Sequence, residues 1–305
     1  MKRPAAVLSL YPRRAGFPMK RRDFIKTGLF AGGAIAAAGF TTAAPTGVKR
    51  ATDMIELGPD KIRLSRLAMG TGTRGRGGST NQTRQLGIEG LANLLEYGVD
   101  NGLNFFDTAD AYGSHPHVKE ALKRVPREKV VIMTKTRSRT AEQMKADLDR
   151  FRQELGTDYI DIVLLHAETN PNWPEVRAGA MEVLSEAREK GIVKTHGISC
   201  HSIGALRTAA KTDWVKVDLA RINPEGLLMD ADVATVISVL REMKAAGKGV
   251  IGMKVFGEGQ LRDRPDEMLR FVLSLDCVDC FTIGAENRDE LADLLKRIPA
   301  NSVAA

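Results

Sequence analysis

The stretch FFDTADAYG, Phe105 to Gly113, sets an aspartate directly behind an apolar run and a tyrosine five residues further on. Two later apolar runs also end in titratable groups: VVIMTK closes on Lys135, and DIVLLH on His166. Brought together, Asp107, Tyr112, Lys135 and His166 divide one task among them. A free tyrosine titrates at about 10, too high for easy proton donation, and a neighbouring ammonium favours the phenolate and lowers that value. Lys135 supplies the ammonium and Asp107 holds it by a charge-assisted hydrogen bond. His166 orients a carbonyl oxygen or assists proton delivery. Such a set suits reduction of an aldehyde or ketone, a proton reaching oxygen while hydride arrives at carbon from a nicotinamide.

A set of residues this far apart in sequence needs a frame that brings strand ends to one place. From about residue 60, eight short apolar or β-branched runs alternate with amphipathic segments: residues 62–70, 103–109, 129–136, 159–166, 194–199, 214–222, 249–257 and 278–284. Segments such as AEQMKADLDRFRQELG repeat apolar residues at three- and four-residue spacing and close on glycine, as helices do. Eight strand–helix repeats predict a (β/α)8 barrel, whose catalytic groups sit where strands end and βα loops begin. IELGPDKIRLS reads as a hairpin ahead of the barrel, closing its bottom.

FDTADAYG, the TK at the third strand's end and DYIDIVLLH resemble the aldo-keto reductases, and the resemblance runs from about Ile55 to Ile298. It implies that Asp107, Tyr112, Lys135 and His166 are the catalytic tetrad and that NADP or NAD is the cofactor, with NADP the family default. It implies a cofactor site at Ser199, Cys200, Asn223, Met253, Lys254, Gly257, Gly259, Gly284 and Arg288. This chain departs from the family pattern at Cys200, where asparagine is usual, at Leu219, where glutamine often sits, and at Met253, in place of an aromatic residue. Near the last helix Glu286, Asp289 and Glu290 surround Arg288; carboxylates there repel a 2′-phosphate and suit the ribose hydroxyls of NADH. The lysine and glycines of KVFGEG and the amides opening the last helix are the phosphate candidates.

GTGTRG, Gly70 to Gly75, matches G-x-G-x-x-G, but the helix is expected only from about Gln85, so it reads as the first βα loop on the substrate side. Cys277 and Cys280 form C-x-x-C without a second pair for zinc or an iron–sulfur cluster, and no metal is expected. They read as buried residues, with a disulfide the alternative; Cys200 is expected near ligand. Trp173, after the fourth strand, reads equally as an apolar wall over the site or as packing under its loop. The end at Ala305, soon after the last helix, suggests an open pocket.

The formal charge of +7 does not indicate nucleic acid. Residues 1–50 hold ten basic residues and one acidic, and residues 51–305 carry 35 basic and 37 acidic groups. KRRDFIK, Lys20 to Lys26, followed by an uncharged Gly/Ala-rich run, has the form of a signal peptide, and Arg21-Arg22 resembles the twin-arginine (Tat) export motif. Residues 1–46 are therefore expected to be a leader, cleaved near Ala38 to Ala44, and residues 47–305 the barrel. The expected partners are the Tat machinery and a small carbonyl substrate, and the expected location is the periplasm; an uncleaved membrane anchor is the alternative. Two rivals to the reductase remain: an exported nucleotide- or ligand-binding barrel with little turnover, and a glycoside hydrolase drawing on Asp107, Glu168 and Glu258.

Overall fold

The computed structural model describes residues 47–302. The leader expected at residues 1–46 lies outside the described residues. The chain enters through an antiparallel hairpin, β1 (Met54–Leu57) and β2 (Ile62–Ser65), with Leu57 opposite Ile62. Gly58 and Lys61 both take positive φ, 63° and 51°, which folds Gly-Pro-Asp into the tight connection.

Eight parallel strands then close into a barrel: β3 (Leu67–Gly70), β4 (Phe105–Asp107), β5 (Val131–Thr136), β6 (Ile160–Glu168), β7 (Val193–Cys200), β8 (Val217–Arg221), β9 (Gly249–Met253) and β10 (Cys280–Ile283). Each pairs with the next, and β10 closes on β3. The (β/α)8 barrel with a leading hairpin is thus the observed architecture. Side chains alternate along each strand: Phe105, Met133, Ile162, Leu164 and Leu219 fill the interior. Leu57, Ile62 and Leu64 of the hairpin join the same cluster and plug the floor. The outward set packs under α1 (Asn81–Asp100), α2 (His115–Ala121), α3 (Ala141–Leu155), α4 (Trp173–Val176), α5 (Ala178–Glu189), α6 (Ile203–Lys211), α7 (Val233–Ala245), α8 (Pro265–Ser274) and α9 (Arg288–Ala300).

Local chemistry sets the boundaries. α3 starts at a capping box between Thr140 and Gln143 and ends at Gly156, whose φ of 67° suits the C-cap. α1 starts at Asn81, earlier than the sequence pattern predicts, because Thr80 and Thr83 form a reciprocal cap; the pattern was obscured by a kink at Gly87, φ 60°. The predicted strand over 62–70 is two strands, parted at Arg66. β9 stops at Met253 rather than Gly257, since Lys254 takes φ 57° and the chain turns into a short 3₁₀ segment, Gly257–Gly259.

Candidate active site

The βα ends of the barrel surround a cleft of about 1220 Å³, more than most drug-sized ligands need. Asp107 ends β4, Lys135 lies one residue from the end of β5, and His166 lies near the end of β6. These three line the cleft together with Tyr112, from the short 3₁₀ turn Asp110–Tyr112. Register between β6 and β7 shifts after Leu165, and Ala167 takes φ 55°; this bulge re-aims the strand where His166 sits. Among the described residues, four of the six left-handed non-glycine residues, Arg74, Ala167, Lys254 and Glu258, line the cleft, as strain held at a functional site would.

Lys135 is fully buried and ion-paired with Asp107; its ammonium also donates to Thr108 O at 2.7 Å. The Thr282 hydroxyl donates at 2.8 Å to the other Asp107 oxygen, Oδ2. The Lys135 nitrogen stands 4.7 Å from the centre of the Tyr112 ring, and the His166 ring meets that ring edge-on at 5.8 Å. Burial works against the Lys135 ammonium, but Asp107 and then Tyr112 outweigh it and hold its pKa above the usual lysine value. The expectation that Lys135 lowers the Tyr112 pKa is corrected: burial is the largest effect and raises it, Asp107 and Glu258 act the same way, and the opposing ammonium does not win. Burial, followed by the charge of Lys135, pushes His166 down to about 2. The site at neutral pH is therefore a protonated phenol, a protonated lysine and a neutral imidazole.

The glycines of GTGTRG serve this tyrosine. A Cβ on Gly72 would lie 2.4 Å from Tyr112 Cε2, and one on Gly75 2.7 Å from Cδ1, so bare backbone flanks the ring. Gly113, at φ 63°, lets the chain turn back where a Cβ would lie 2.1 Å from Gly78 O. This stretch lines the cleft as a βα loop, and its glycines pack against protein.

Of the cofactor candidates, Ser199, Met253, Lys254, Gly259 and Gly284 line the cleft. Ser199 is 1 % exposed, and its hydroxyl has no partner among the described residues. Lys254 is paired with Glu258 at 2.7 Å. Four candidates do not line it. Cys200 stays in strand register opposite Glu168 and is buried under the helices, because alternation turns it outward once Ser199 faces in; it is not exposed to ligand. Asn223 is buried and occupied in backbone bonds to Leu227 and Lys254. Gly257 is buried where a Cβ would lie 2.7 Å from Leu227 Cδ2. Arg288 is exposed, its guanidinium 5.4 Å from the centre of the Tyr97 ring. Trp173 packs under its loop: it is buried against Trp214, and its indole N–H donates to Ala205 O.

Sequence reasoning missed several basic residues of the cleft: the cations Arg74, Arg76, Arg137, Arg262 and Arg297, and His201, which burial keeps neutral. Their signal was position, since Arg137 follows the β5 end and Arg262 and His201 lie in βα loops. Of the carboxylates proposed for glycoside hydrolysis, Asp107 and Glu258 line the cleft but each is held in an ion pair, and Glu168 does not line it. Asp107 is paired with Lys135, Glu258 with Lys254, and Glu168 is buried in a pair with Arg177 outside the cleft lining. Cys277 and Cys280 are both buried and free.

A family model for the Aldo/keto reductase family matches residues 66–297. An NADH-specific methylglyoxal reductase from Escherichia coli is 30% identical over 168 residues, covering 47% of this chain and 50% of that protein. A D-threo-aldose 1-dehydrogenase from Pseudomonas is 25% identical over 201 residues, covering 55% and 60% respectively. The chain thus spans half to three fifths of the length of these curated relatives. An aldo-keto reductase of Bacillus halodurans in its holo form superposes with a TM-score of 0.66 at 17% identity, over 82% of this chain and 94% of that one. One of Bombyx mori, in complex with NADP, gives 0.59 at 16% identity, over 82% and 92%. At such identities the two structures speak for the fold alone. The match of the family model across the whole set of barrel strands, over the same residues that bring Asp107, Tyr112, Lys135 and His166 to one cleft, settles the relationship: the chain belongs to the aldo/keto reductase family.

Proposed function

We propose that the protein reduces an aldehyde or ketone to an alcohol with NADH or NADPH. One observation carries this reading: a phenol sits beside a buried, protonated lysine and edge-on to a neutral imidazole, all facing one cleft. The residues present fit a nicotinamide cofactor in part. Ser199 offers an unpartnered hydroxyl to the carboxamide, Met253 an apolar surface to the ring, and the backbone around Gly259 and Gly284 room for phosphates. When bound, the cofactor supplies the hydride that reaches the carbonyl carbon. Tyr112 gives its proton to the carbonyl oxygen, and the Lys135 ammonium stabilises the phenolate left behind, held in turn by Asp107. Neutral His166 donates an N–H to the same oxygen and fixes the carbonyl's orientation.

At the far end of the cleft Glu286, Glu290 and Asp293 outnumber Arg262 and Arg297, and Arg297 is already engaged by Asp266 and Asp293. That balance disfavours a 2′-phosphate and argues for NADH. Calorimetric titration with NADH and NADPH tests the preference, and a carbonyl screen with Tyr112→Phe tests the chemistry. The variant should bind the nucleotide as before and lose about 10²–10⁴-fold in kcat. Unchanged turnover refutes the assignment of the proton donor. The turned-away Cys200 and the apolar Leu219 favour the second reading, a nucleotide-binding barrel with little turnover; tight nucleotide binding with no carbonyl-dependent oxidation would select it.

Export through the twin-arginine pathway is also proposed, on Arg21-Arg22 and the uncharged run behind them. Replacing both arginines by lysine should hold the full-length protein in the cytoplasm, read by cell fractionation; periplasmic protein from that variant sinks the idea.

A further inference from the structure

Three arginines line the cleft with Tyr112 and His166, and among the described residues none of them has an acidic partner within ion-pair distance: Arg74, Arg76 and Arg137. Other arginines of this protein are extensively paired, for example Arg150 with Asp110, Asp147 and Glu154. Arg137 is the most deliberately held of the three. In the β5–β6 ladder Thr136 pairs with Leu165, so Arg137 leaves the end of β5 next to the pair that precedes His166. The residues on either side of Arg137 are anchored to Asp147, Thr136 and Ser138 both through their hydroxyls. The buried Arg177 guanidinium donates to Arg137 O at 2.5 Å and Ser138 O at 2.7 Å while it pairs with Glu168, two residues past His166. A rigid backbone therefore carries an exposed, unpaired guanidinium beside the residue that orients the carbonyl. Burial depresses His166 and His201 most, and the charges of Lys135 and Arg137 add to the depression of both. Glu258, a carboxylate of the cleft lining, is taken by Lys254.

We infer that this cleft selects carbonyl substrates carrying a carboxylate, with Arg137 as the group that pairs with it and Arg74 and Arg76 reinforcing the field. The inference rests on the reductase reading for the place of the carbonyl and adds the substrate class. A planar guanidinium matches a carboxylate with two parallel hydrogen bonds, and unpaired arginines in a cleft draw anions from solution. The nucleotide phosphates have their own candidates in Arg262 and the backbone around Gly259 and Gly284.

The test compares 4-carboxybenzaldehyde with its methyl ester, which carries the same aldehyde without the charge. The wild-type protein should favour the acid in kcat/KM by about ten-fold or more, the lower range for a hydrogen bond to a charged group. Arg137→Ala should cut that ratio by about ten-fold, Arg137→Lys should retain part of it, and raised salt should shrink it. Arg139→Ala removes the same charge two residues away, outside the cleft lining, and should leave the ratio alone. Equal kcat/KM for acid and ester overturns the inference while turnover of both upholds the reductase. If neither aldehyde is reduced, the reductase reading fails, and calorimetry with both compounds still decides selectivity: tighter binding of the acid, lost in Arg137→Ala, supports it, and equal binding overturns it. A fall in NADH affinity in Arg137→Ala with the ratio unchanged assigns this cation to the nucleotide and also overturns it.

Discussion

Asp218 makes a sharp prediction about stability and pH. It sits on β8 between Val217 and Leu219, which face the barrel interior, so its carboxyl points into the layer under the helices. It is fully buried, neither oxygen has an N–H or O–H partner among the described residues, and the Cys200 thiol is its polar neighbour. Burial, followed by the charge of Asp230, pushes its pKa from 3.8 up to about 8. Between those values the folded protein keeps a proton that the unfolded chain has lost, so unfolding free energy falls as pH rises, by about 1.4 kcal/mol per pH unit. Above pH 8 both states are ionised and the slope ends. From pH 6.5 to pH 8 the loss is therefore roughly 2 kcal/mol. Histidines held neutral act in the opposite sense. His166 and His196 are pushed down to about 2 and about 4, both chiefly by burial, so the unfolded chain takes up protons below pH 6.5 that the folded protein refuses. Stability should peak near pH 6.5. Asp218→Asn keeps the shape and removes the titration. Urea unfolding of both proteins at pH 6.5, 7.2 and 8.0 should show their difference changing by roughly 2 kcal/mol in the variant's favour as pH rises. Parallel pH dependences would refute a proton held at Asp218.

The remaining predictions concern the site. Gly72→Ala puts a Cβ 2.4 Å from a Tyr112 ring carbon, so the ring must shift; kcat should fall by about 10²-fold in a steady-state assay while circular dichroism is unchanged. Lys135→Met strands a buried Asp107 and should cost about 3–5 kcal/mol in urea unfolding, partly recovered by adding Asp107→Asn. Since His166 titrates at about 2 and His201 at about 3, chiefly through burial, kcat/KM should show no step between pH 5 and 8 from either imidazole. A limb near pH 6.5 that vanishes in His166→Gln would contradict a neutral imidazole.

The barrel and the four catalytic candidates were legible because they depend on local pattern. Strand alternation, helix caps such as Thr140, and polar residues placed directly after VVIMT or DIVLL are written over a few neighbouring residues. Closure of such a sheet then brings successive strand ends to one rim whatever the loops contain. What the sequence left open was decided by which way a side chain turns and by what surrounds it. Cys200 and Ser199 are neighbours, yet only Ser199 faces the cleft, since continued strand register through β7 sends the next residue outward. Asn223 reads as a ligand contact until the turn it must bond is seen. The direction of the Tyr112 shift depends on burial against a nearby charge, a balance no motif encodes. Arg137 gains its meaning only from Arg177 and Asp147, which arrive from other parts of the chain to hold it beside His166. Local residues determined which elements form and which groups stand at their ends; the tertiary structure alone decided which of those groups share a cleft, because facing, burial and unpaired charge are properties of the whole packing.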